Sequence, residues 1–230
     1  MKLAIMQPYF FPYIGYWQLI SSVDKFIIYD DVNFIKGGYV NRNYILEKNE
    51  RKIISLELIG ASSFKKINEI VVGRNRKKLV KVLKQNYSKA PFFKQNIEFL
   101  ETAIMKDESN LADYLGLIIK DVCSYLNINT EIVFSSQLSK DNNLTGQNKV
   151  IDICKNVGCD TYINSPGGKD LYSIRDFKDN NIDLKFINSE KTTYKQFDST
   201  AVDNLSIIDI LMFNDIEKIS EYLDNYKLNS

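Results

Sequence analysis

The chain of 230 residues contains no histidine. That absence removes the usual general base of neutral-pH catalysis, the commonest zinc ligand, and the Ser/His/Asp and Cys/His nucleophile arrangements. Any chemistry must therefore use carboxylates, lysine, tyrosine, cysteine or backbone dipoles. Cysteine is scarce as well: Cys123, Cys154 and Cys159 are an odd number without CxxC spacing. We interpret them as reduced packing residues, and we expect neither a metal site nor a cofactor.

Long apolar runs are also missing. No stretch of eighteen apolar residues occurs, and Gln7 and Pro8 interrupt the first apolar segment too early for a signal peptide. We expect a cytoplasmic protein without a membrane partner. The 30 basic and 29 acidic side chains leave a formal charge of +1, which disfavours a strongly basic nucleic-acid binder and an acidic solvating tail. The oligomeric state stays open.

Apolar content is high enough for one core. With 44% hydrophobic residues, the sequence predicts a single α/β domain over residues 1–230. Short β-prone runs predict strands at residues 3–6, 25–32, 44–46, 52–59, 131–134, 161–164 and 184–187. Helical spacing predicts helices from residue 14 and at residues 74–86, 92–104, 111–126, 150–157 and 173–179. We expect a three-layer α/β fold, in which helices flank a mostly parallel sheet, with a helical and hairpin insertion in the first half.

Aromatic residues are concentrated at residues 6–17, between the first predicted strand and helix. Two prolines and Gly15 force a loop there. Open α/β sheets bind ligands at such loops, and tyrosine and glutamine carry polar tips that need partners when buried. We predict that the loop lines a ligand cavity, with burial in the core as the alternative. The residues assigned to substrate binding are Gln7, Tyr9, Tyr13 and Tyr16.

Two acids, Asp30 and Asp31, end the second predicted strand. Neighbouring side chains alternate across a strand, so one of the two should face the pocket. Partial burial would raise its pKa, and the carboxylate could then deprotonate a substrate amine or hold its ammonium. We assign a catalytic role to Asp30 and Asp31; capping of a loop or pairing with lysines is the alternative. Two aspartates without a third oxygen ligand do not predict a Mg²⁺ site.

Three further segments carry groups that suit phosphates, sugars or bases. The turn at residues 165–169 could direct backbone amides and a lysine at a phosphate, although Pro-Gly-Gly is also ordinary turn chemistry. Residues 41–43 could grip a carboxylate or phosphate, or cap a hairpin. Residues 194–198 resemble a lid or wall. We expect these segments to meet residues 7–16 and 30–42 at the carboxyl edge of the sheet. The binding residues assigned in and beside them are Lys36, Asn41, Arg42, Asn43, Ser165, Gly167, Gly168, Lys169, Tyr172, Tyr194 and Gln196.

Three charged features predict contacts elsewhere. Asp209 lies in an apolar run and needs a partner, for which we expect Arg42 or Lys36. Asn214, followed by Glu217, is expected to start the last helix. A basic stripe on the helix predicted from residue 74 is typical of a solvated face, but it could also dock an acidic carrier protein or the phosphates of a charged tRNA. The stripe consists of Arg74, Lys77, Lys78, Lys81 and Lys84.

An ordered series of motifs resembles the WbqC-like family. The motifs are the opening MQPYFFPYIGYWQLI, the strand DKFIIYDDV, the segment NRNYIL, the loop SPGGKDLY and the closing YKQFDSTAVDNLSIIDILMFN. The series covers the chain from end to end. The resemblance implies a role in building or modifying unusual, often amino-acylated, deoxyamino sugars of bacterial surface polysaccharides such as O-antigen.

Residues and resemblance together favour a transferase. It would put an acyl or aminoacyl group on the amine of a nucleotide-linked deoxyamino sugar in O-antigen (lipopolysaccharide) biosynthesis, with an acyl carrier protein or aminoacyl-tRNA as donor. A non-catalytic sugar-nucleotide binding or assembly protein is the runner-up. An ATP-dependent amide-forming ligase is less favoured because no adenylation motif is visible, and a glycosyltransferase is disfavoured because the metal-binding acid pair is absent.

Overall fold

The computed structural model describes residues 1–197 and 201–229. The first half contains, in chain order, β1 (Lys2–Met6), α1 (Ile14–Ser21), β2 (Lys25–Ile28), β3 (Arg42–Glu47), β4 (Glu50–Ser55), β5 (Leu58–Ile59), β6 (Val71–Val72), α2 (Arg76–Tyr87), α3 (Phe93–Ile104) and α4 (Leu111–Tyr125). The second half contains β7 (Glu131–Phe134), α5 (Gly146–Asn156), β8 (Thr161–Asn164), α6 (Ile174–Asp179), β9 (Asp183–Ser189), α7 (Ile207–Phe213), α8 (Ile216–Asp224) and β10 (Tyr226–Asn229).

β1 lies inside a six-stranded sheet with the spatial order β10-β9-β8-β1-β2-β7. β1 pairs in parallel with β2 and β8, β2 pairs in parallel with β7, and β8 pairs in parallel with β9. β10 runs antiparallel to β9 at the edge. The chain moves from β1 outward through β2 to β7 and then fills the other side with β8 and β9. The loops after β1 and β8 therefore lie at a topological switch point of the sheet. Open α/β sheets bind ligands at such points.

Helices cover both faces of this sheet because successive strand residues point to opposite sides. Leu3 and Ile27 share one core with buried residues of α5 and α6. Ala4, Phe26 and Ile28 share the other core with buried residues of α1, α4 and α7. The predicted three-layer fold with a mostly parallel sheet is confirmed. Among the described residues, no helix is both long and apolar enough to cross a bilayer.

Several strand boundaries differ from the prediction, and the ends of β2 and β4 differ most. β2 ends at Ile28 rather than at residue 32, because the Asp30 N–H turns back to the Ile28 carbonyl at 3.1 Å. β4 ends at Ser55 rather than at residue 59, and β5 pairs with β6 instead. The apolar run that suggested one long strand therefore serves two separate hairpin pairings.

Three helix starts are also corrected. α5 begins at Gly146 rather than at residue 150. α2 begins at Arg76, so Arg74 lies outside the helix that was expected to carry the whole basic stripe. Asn214 does not start α8. Asp215 caps that helix instead, since its carboxylate accepts the Lys218 N–H at 2.7 Å.

Candidate functional site

Asn43 fixes the loop that joins β1 to α1. Its side-chain amide donates to the carbonyls of Phe10 at 3.2 Å and Phe11 at 2.7 Å. The Ser206 hydroxyl also donates to the Phe11 carbonyl, at 2.6 Å. Phe11 has a φ of 42°, a left-handed conformation that costs free energy for a residue other than glycine. Asn43 is therefore a positioning residue, because its amide hydrogens are used inside the protein.

Helix α1 anchors the same loop from the other side. Trp17 Nε1 donates to the Pro12 carbonyl and the Tyr16 hydroxyl donates to the Gln7 carbonyl, each at 2.9 Å. The rings of Trp17 and Tyr16 are fully buried. For Tyr16 the structure shows core packing, and it leaves Gln7 half-buried at the end of β1.

Four tyrosine rings and an arginine line a pocket of about 320 Å³ beside this loop. Tyr9 and Tyr13 belong to the loop itself, and Tyr39 follows β2. The β3–β4 hairpin supplies Tyr44 and Arg51. The ring centroids of Tyr9 and Tyr44 lie 6.0 and 6.3 Å from that of Tyr39. We call this the tyrosine pocket; its lining residues are Tyr9, Tyr13, Tyr39, Asn43, Tyr44, Arg51 and Asn204.

The tyrosine pocket presents phenol donors and one cation. Burial raises the pKa of Tyr9 and Tyr13, and neighbouring phenols raise it further, so both hydroxyls stay protonated at neutral pH. The Arg51 guanidinium lies 5.9 Å from the centroid of the Tyr44 ring, and its Nε donates to the Asp203 carbonyl at 3.0 Å. Aromatic faces beside a guanidinium suit a planar base or a sugar ring that carries a phosphate.

A second cavity, of about 250 Å³, shares Tyr13 and Asn204 with the tyrosine pocket. Its charged lining comes from Glu190, Lys191 and Asp203, and Lys191 Nζ lies 2.9 Å from the Asp203 carboxylate. We call it the charged cavity; its polar lining residues are Tyr13, Ser189, Glu190, Lys191, Thr192, Tyr194, Asp203 and Asn204.

Because Gly15 has no side chain, Tyr13 and Ser189, which line the charged cavity, pack closely against the start of α1. A Cβ at Gly15 would lie 2.5 Å from Cε2 of Tyr13 and 2.7 Å from Oγ of Ser189. No larger residue fits there unless Tyr13 or Ser189 moves. The glycine that the sequence analysis treated as a loop former thus sets the position of a pocket wall.

Asp209 lies behind the charged cavity and is fully buried. Its carboxylate accepts hydrogen bonds from the Tyr87 hydroxyl, the Tyr194 hydroxyl and Gln196 Nε2, each at 2.7 Å. Burial raises the pKa of Asp209, and the three donors oppose that effect. Tyr194 therefore joins the cavity wall to the interior, whereas Gln196 is buried and also bonds to the backbone of Val202. Asp198, in the predicted wall segment, lies outside the described residues.

The expected pairing of Asp209 with Arg42 or Lys36 is wrong. The carboxylate is satisfied by neutral phenol and amide donors, whereas the sequence prediction considered only cations as its partners. Arg42 instead donates to the Gly37 carbonyl, and Lys36 is exposed. Asn41 Nδ2 donates to the Leu56 carbonyl at 2.9 Å, within the hairpin.

Asp30 and Asp31 lie beyond the end of β2, and their carboxylates contact different residues. The Asp30 carboxylate accepts the Ser136 N–H at 2.9 Å and Asn68 Nδ2 at 3.1 Å. Neither aspartate lines the tyrosine pocket or the charged cavity. In the described part of the chain, no three Asp, Glu or Cys side chains are placed to hold a metal ion.

Two buried lysines share Asp31. Lys140 Nζ and Lys149 Nζ lie 3.1 and 3.2 Å from its Oδ2, and only 2% and 9% of their side chains are exposed. Burial alone would raise the pKa of Asp31, but the Ser135 hydroxyl and Lys140 outweigh it and hold the pKa below its ordinary value. This opposes the rise expected of a catalytic base. The catalytic role of Asp30 and Asp31 stays a prediction.

Residues 165–169 follow β8 at the same sheet edge and enter a short 3₁₀ turn, Pro166–Leu171. Gly168 packs on Asn164, where a Cβ would lie 2.3 Å from Nδ2, whereas Gly167 has open space around it. Lys169 Nζ lies 5.6 Å from the centroid of the Phe186 ring. Tyr172, after the turn, packs against aromatic rings of the α6 side. None of residues 165–172 lines either cavity described above.

Four lining residues of the tyrosine pocket were not predicted from the sequence: Tyr39, Tyr44, Arg51 and Asn204. The hairpin carried a usable signal. Its two-residue turn at Lys48 and Asn49 sets a register that opposes Tyr44 to Ile53 and Leu46 to Arg51. Tyr44 and Arg51 are then diagonal neighbours, within reach of long side chains.

Comparison with known proteins places the cavities within a recognised family region. The model of the WbqC-like protein family matches residues 7–221, which include every lining residue of both cavities. An uncharacterized protein of Mycobacterium tuberculosis is 27% identical over 227 residues, covering 96% of this chain and 97% of that protein. No solved structure matches the chain.

Proposed function

Because the chain belongs to the WbqC-like protein family, we propose that it is a transferase that puts an acyl or aminoacyl group on the amine of a nucleotide-linked deoxyamino sugar. The observation that carries this proposal is the adjacency of an aromatic pocket with an arginine and a cavity with two carboxylates, joined at Tyr13. The sugar is destined for a bacterial surface polysaccharide such as O-antigen, and the reaction takes place in the cytoplasm.

The tyrosine pocket holds the nucleotide in this proposal. Base–aromatic stacking contributes about 1–3 kcal/mol per base, and Tyr9, Tyr39 and Tyr44 offer the ring faces. Arg51 stands at the rim, where its guanidinium can donate two parallel hydrogen bonds to a phosphate. These residues take over the phosphate role that the sequence analysis gave to Arg42 and residues 165–169.

The charged cavity holds the amino sugar. The carboxylates of Glu190 and Asp203 are paired with Lys227 at 2.6 Å and Lys191 at 2.9 Å, and the substrate ammonium takes the place of these lysines. The ammonium gives one proton to solvent water, and the carboxylates orient the neutral amine that remains. The amine nitrogen then forms a bond to the acyl carbon while the thioester or ester bond of the donor breaks, and a proton passes from this nitrogen to the departing thiolate or ribose alkoxide. Positioning supplies much of the rate because the donor is already activated.

The macromolecular donor docks on the groove between α2 and α3. Lys77, Lys81 and Lys84 border it, and Val80 and Met105 give it an apolar floor. Lys84 is paired with Glu101, whereas Lys77 and Lys81 are exposed. Such a surface complements an acidic carrier protein or the phosphates of a charged tRNA.

Calorimetric titration with dTDP-, UDP- and GDP-linked amino sugars tests the nucleotide site. We expect one of them to bind and Arg51→Gln to weaken it by about tenfold or more, because a charge-assisted hydrogen bond contributes about 1.5–3 kcal/mol. The matched control is Arg175→Gln, on the exposed side of α6, which should bind as the wild type does. Equal affinities of Arg51→Gln and the wild type would refute this placement of the nucleotide.

Mass spectrometry of the sugar after incubation with an activated donor tests the transfer. We expect the mass of the bound sugar nucleotide to rise by that of the acyl group. Tight binding without transfer from thioester, carrier-protein and aminoacyl-tRNA donors would contradict the transferase and leave the binding site intact.

A non-catalytic sugar-nucleotide-binding protein is the second candidate, and the placement of Asp30 and Asp31 favours it. Both carboxylates are engaged inside the protein, away from the two cavities. Turnover by the wild type separates the candidates, because a protein that only binds has none. Asp30→Asn and Asp31→Asn then test the catalytic prediction for these two residues, which a loss of turnover with retained sugar affinity would support and unchanged turnover would contradict.

A further inference from the structure

Two apolar side chains project into solvent from adjoining loops. Phe64 is 94% exposed and Ile35 is 58% exposed. The Phe34 N–H donates to the Lys65 carbonyl at 2.9 Å, which joins the two loops. Ile35 follows Phe34 and Phe64 precedes Lys65, so both side chains leave neighbouring points of this pairing.

The pairing is a fixed part of the fold. Asn33 forms an antiparallel bridge with Lys66, and the Ile67 N–H donates to the Val32 carbonyl at 3.0 Å. Phe34, between them, is only 4% exposed and belongs to the core. The backbone pairing thus places Phe34 in the core and keeps the side chains of Ile35 and Phe64 in water. Exposure of these two apolar side chains costs free energy unless another surface covers them.

Three exposed lysines flank the apolar pair: Lys36, Lys65 and Lys66. Each lies within two residues of Ile35 or Phe64. Apolar side chains that protrude among lysines are typical of surfaces that bind the membrane interface. The apolar tips enter the headgroup boundary, and the ammoniums attract anionic lipids. We call this surface the Phe64 tip; it consists of Ile35, Lys36, Phe64, Lys65 and Lys66.

We propose that the Phe64 tip docks the protein on an anionic lipid bilayer. A surface-bound protein needs no spanning segment, so the lack of long apolar runs, which led to the expectation of no membrane partner, does not bear on this contact. A protein partner fits less well, because lysine is depleted at protein interfaces relative to the rest of the surface, and three lysines flank this apolar pair.

The contact has a consequence for the tyrosine pocket. Tyr39, which lines that pocket, lies four residues after Ile35, in the same loop, and the Gly38 N–H folds back to the Ile35 carbonyl at 3.1 Å. Docking through the Phe64 tip therefore holds this side of the pocket near the membrane surface. The membrane proposal depends on residues that line neither the tyrosine pocket nor the charged cavity. It can therefore be tested independently of the transferase proposal.

Co-sedimentation with lipid vesicles tests it. We expect the protein to partition onto vesicles that contain phosphatidylglycerol but not onto pure phosphatidylcholine, and added salt to release it. Phe64→Ser should lower the partition coefficient by about tenfold, and Lys65→Gln with Lys66→Gln by about fivefold for each charge. In a Phe64→Trp variant, vesicles should shift the added fluorescence to shorter wavelength.

The matched control is Leu171→Ser, because Leu171 is 70% exposed in the turn after β8. It should partition as the wild type does, and circular dichroism should show that every variant is folded. Failure of the wild type to bind anionic vesicles overturns the proposal, as does equal loss in Leu171→Ser. If Phe64→Ser instead abolishes self-association in sedimentation velocity without a change in vesicle binding, the tip contacts a second copy and the proposal is overturned.

Discussion

Asp31 and Asp209 are both buried carboxylates, and the charge of their partners separates them. Burial would raise the pKa of Asp31, but the Ser135 hydroxyl and two lysine ammoniums lower it below its ordinary value. Neutral phenols and an amide surround Asp209, so burial dominates and its pKa is raised. The two residues should consequently change the stability of the protein in opposite directions as the pH changes.

Asp31→Asn should destabilise the protein by about 3 kcal/mol at neutral pH, because it leaves two buried ammoniums without their carboxylate. The folded-state pKa of Asp31 is lowered, so its contribution is present above the ordinary pKa of about 4 and is lost as the pH falls through the lower folded value. Urea denaturation should therefore show the difference from the wild type shrinking in acid. The control Asp179→Asn removes an exposed pair with Arg175 and should change stability by about 0.5 kcal/mol or less.

Asp209→Asn should show the opposite trend. The folded-state pKa of Asp209 is raised, so its contribution is fully present below the ordinary pKa and is lost as the pH rises through the folded value. The stability advantage of the wild type over Asp209→Asn should therefore be larger near about pH 4 than near about pH 8. Urea denaturation at both pH values measures it. An advantage that grows with pH would mean that a cation, rather than Tyr87, Tyr194 and Gln196, faces this carboxylate.

Glycine substitutions separate the two loops that were predicted to bind substrate. Gly15→Ala should weaken binding of the sugar nucleotide by about tenfold, although alanine favours helix, because its Cβ would displace Tyr13 or Ser189. Gly167→Ala meets nothing within contact distance and should bind as the wild type does. Calorimetric titration compares the two variants. If Gly167→Ala weakens binding and Gly15→Ala does not, the phosphate lies against residues 165–169, as the sequence analysis expected.

Elements with strong local periodicity could be predicted, and those fixed by distant contacts could not. The bounds of β7 and β8 agree with the predicted ones, and α4 ends one residue before its predicted end. β10 was not predicted, because its four residues carry little pattern and become a strand through pairing with β9. β2 was predicted too long because the polarity of Asp30 and Asp31 was not used to end it.

The tyrosine pocket shows why a site is harder to predict than a strand. Tyr9 and Tyr13 were found because they lie in one conspicuous loop. Tyr39, Arg51 and Asn204 come from three other segments, and only the folded hairpin and the loop before α7 bring them to that loop. No motif of contiguous residues encodes such a pocket. Non-local contacts also explain why the partners of Asp209 were not predicted. Tyr87 is far from Asp209 in the sequence, and Tyr194 was assigned to substrate binding.

The separation of the α2–α3 groove from the two cavities makes the donor contact testable without disturbing the sugar site. Lys77 and Lys81 line the groove and neither cavity. Lys77→Glu with Lys81→Glu should raise the KM for a carrier protein or aminoacyl-tRNA donor by about tenfold or more, because like charges then face the acidic donor. The affinity for the sugar nucleotide and the free energy of unfolding should stay close to those of the wild type.

The control for this pair is Lys155→Glu with Lys178→Glu, which shifts the net charge equally on exposed positions of α5 and α6. A general effect of net charge would raise the KM in both double variants, whereas docking on the groove raises it only in the first. If both double variants keep the KM of the wild type in low salt, where charge effects are strongest, the donor does not use this face and the basic stripe is a solvated helix surface.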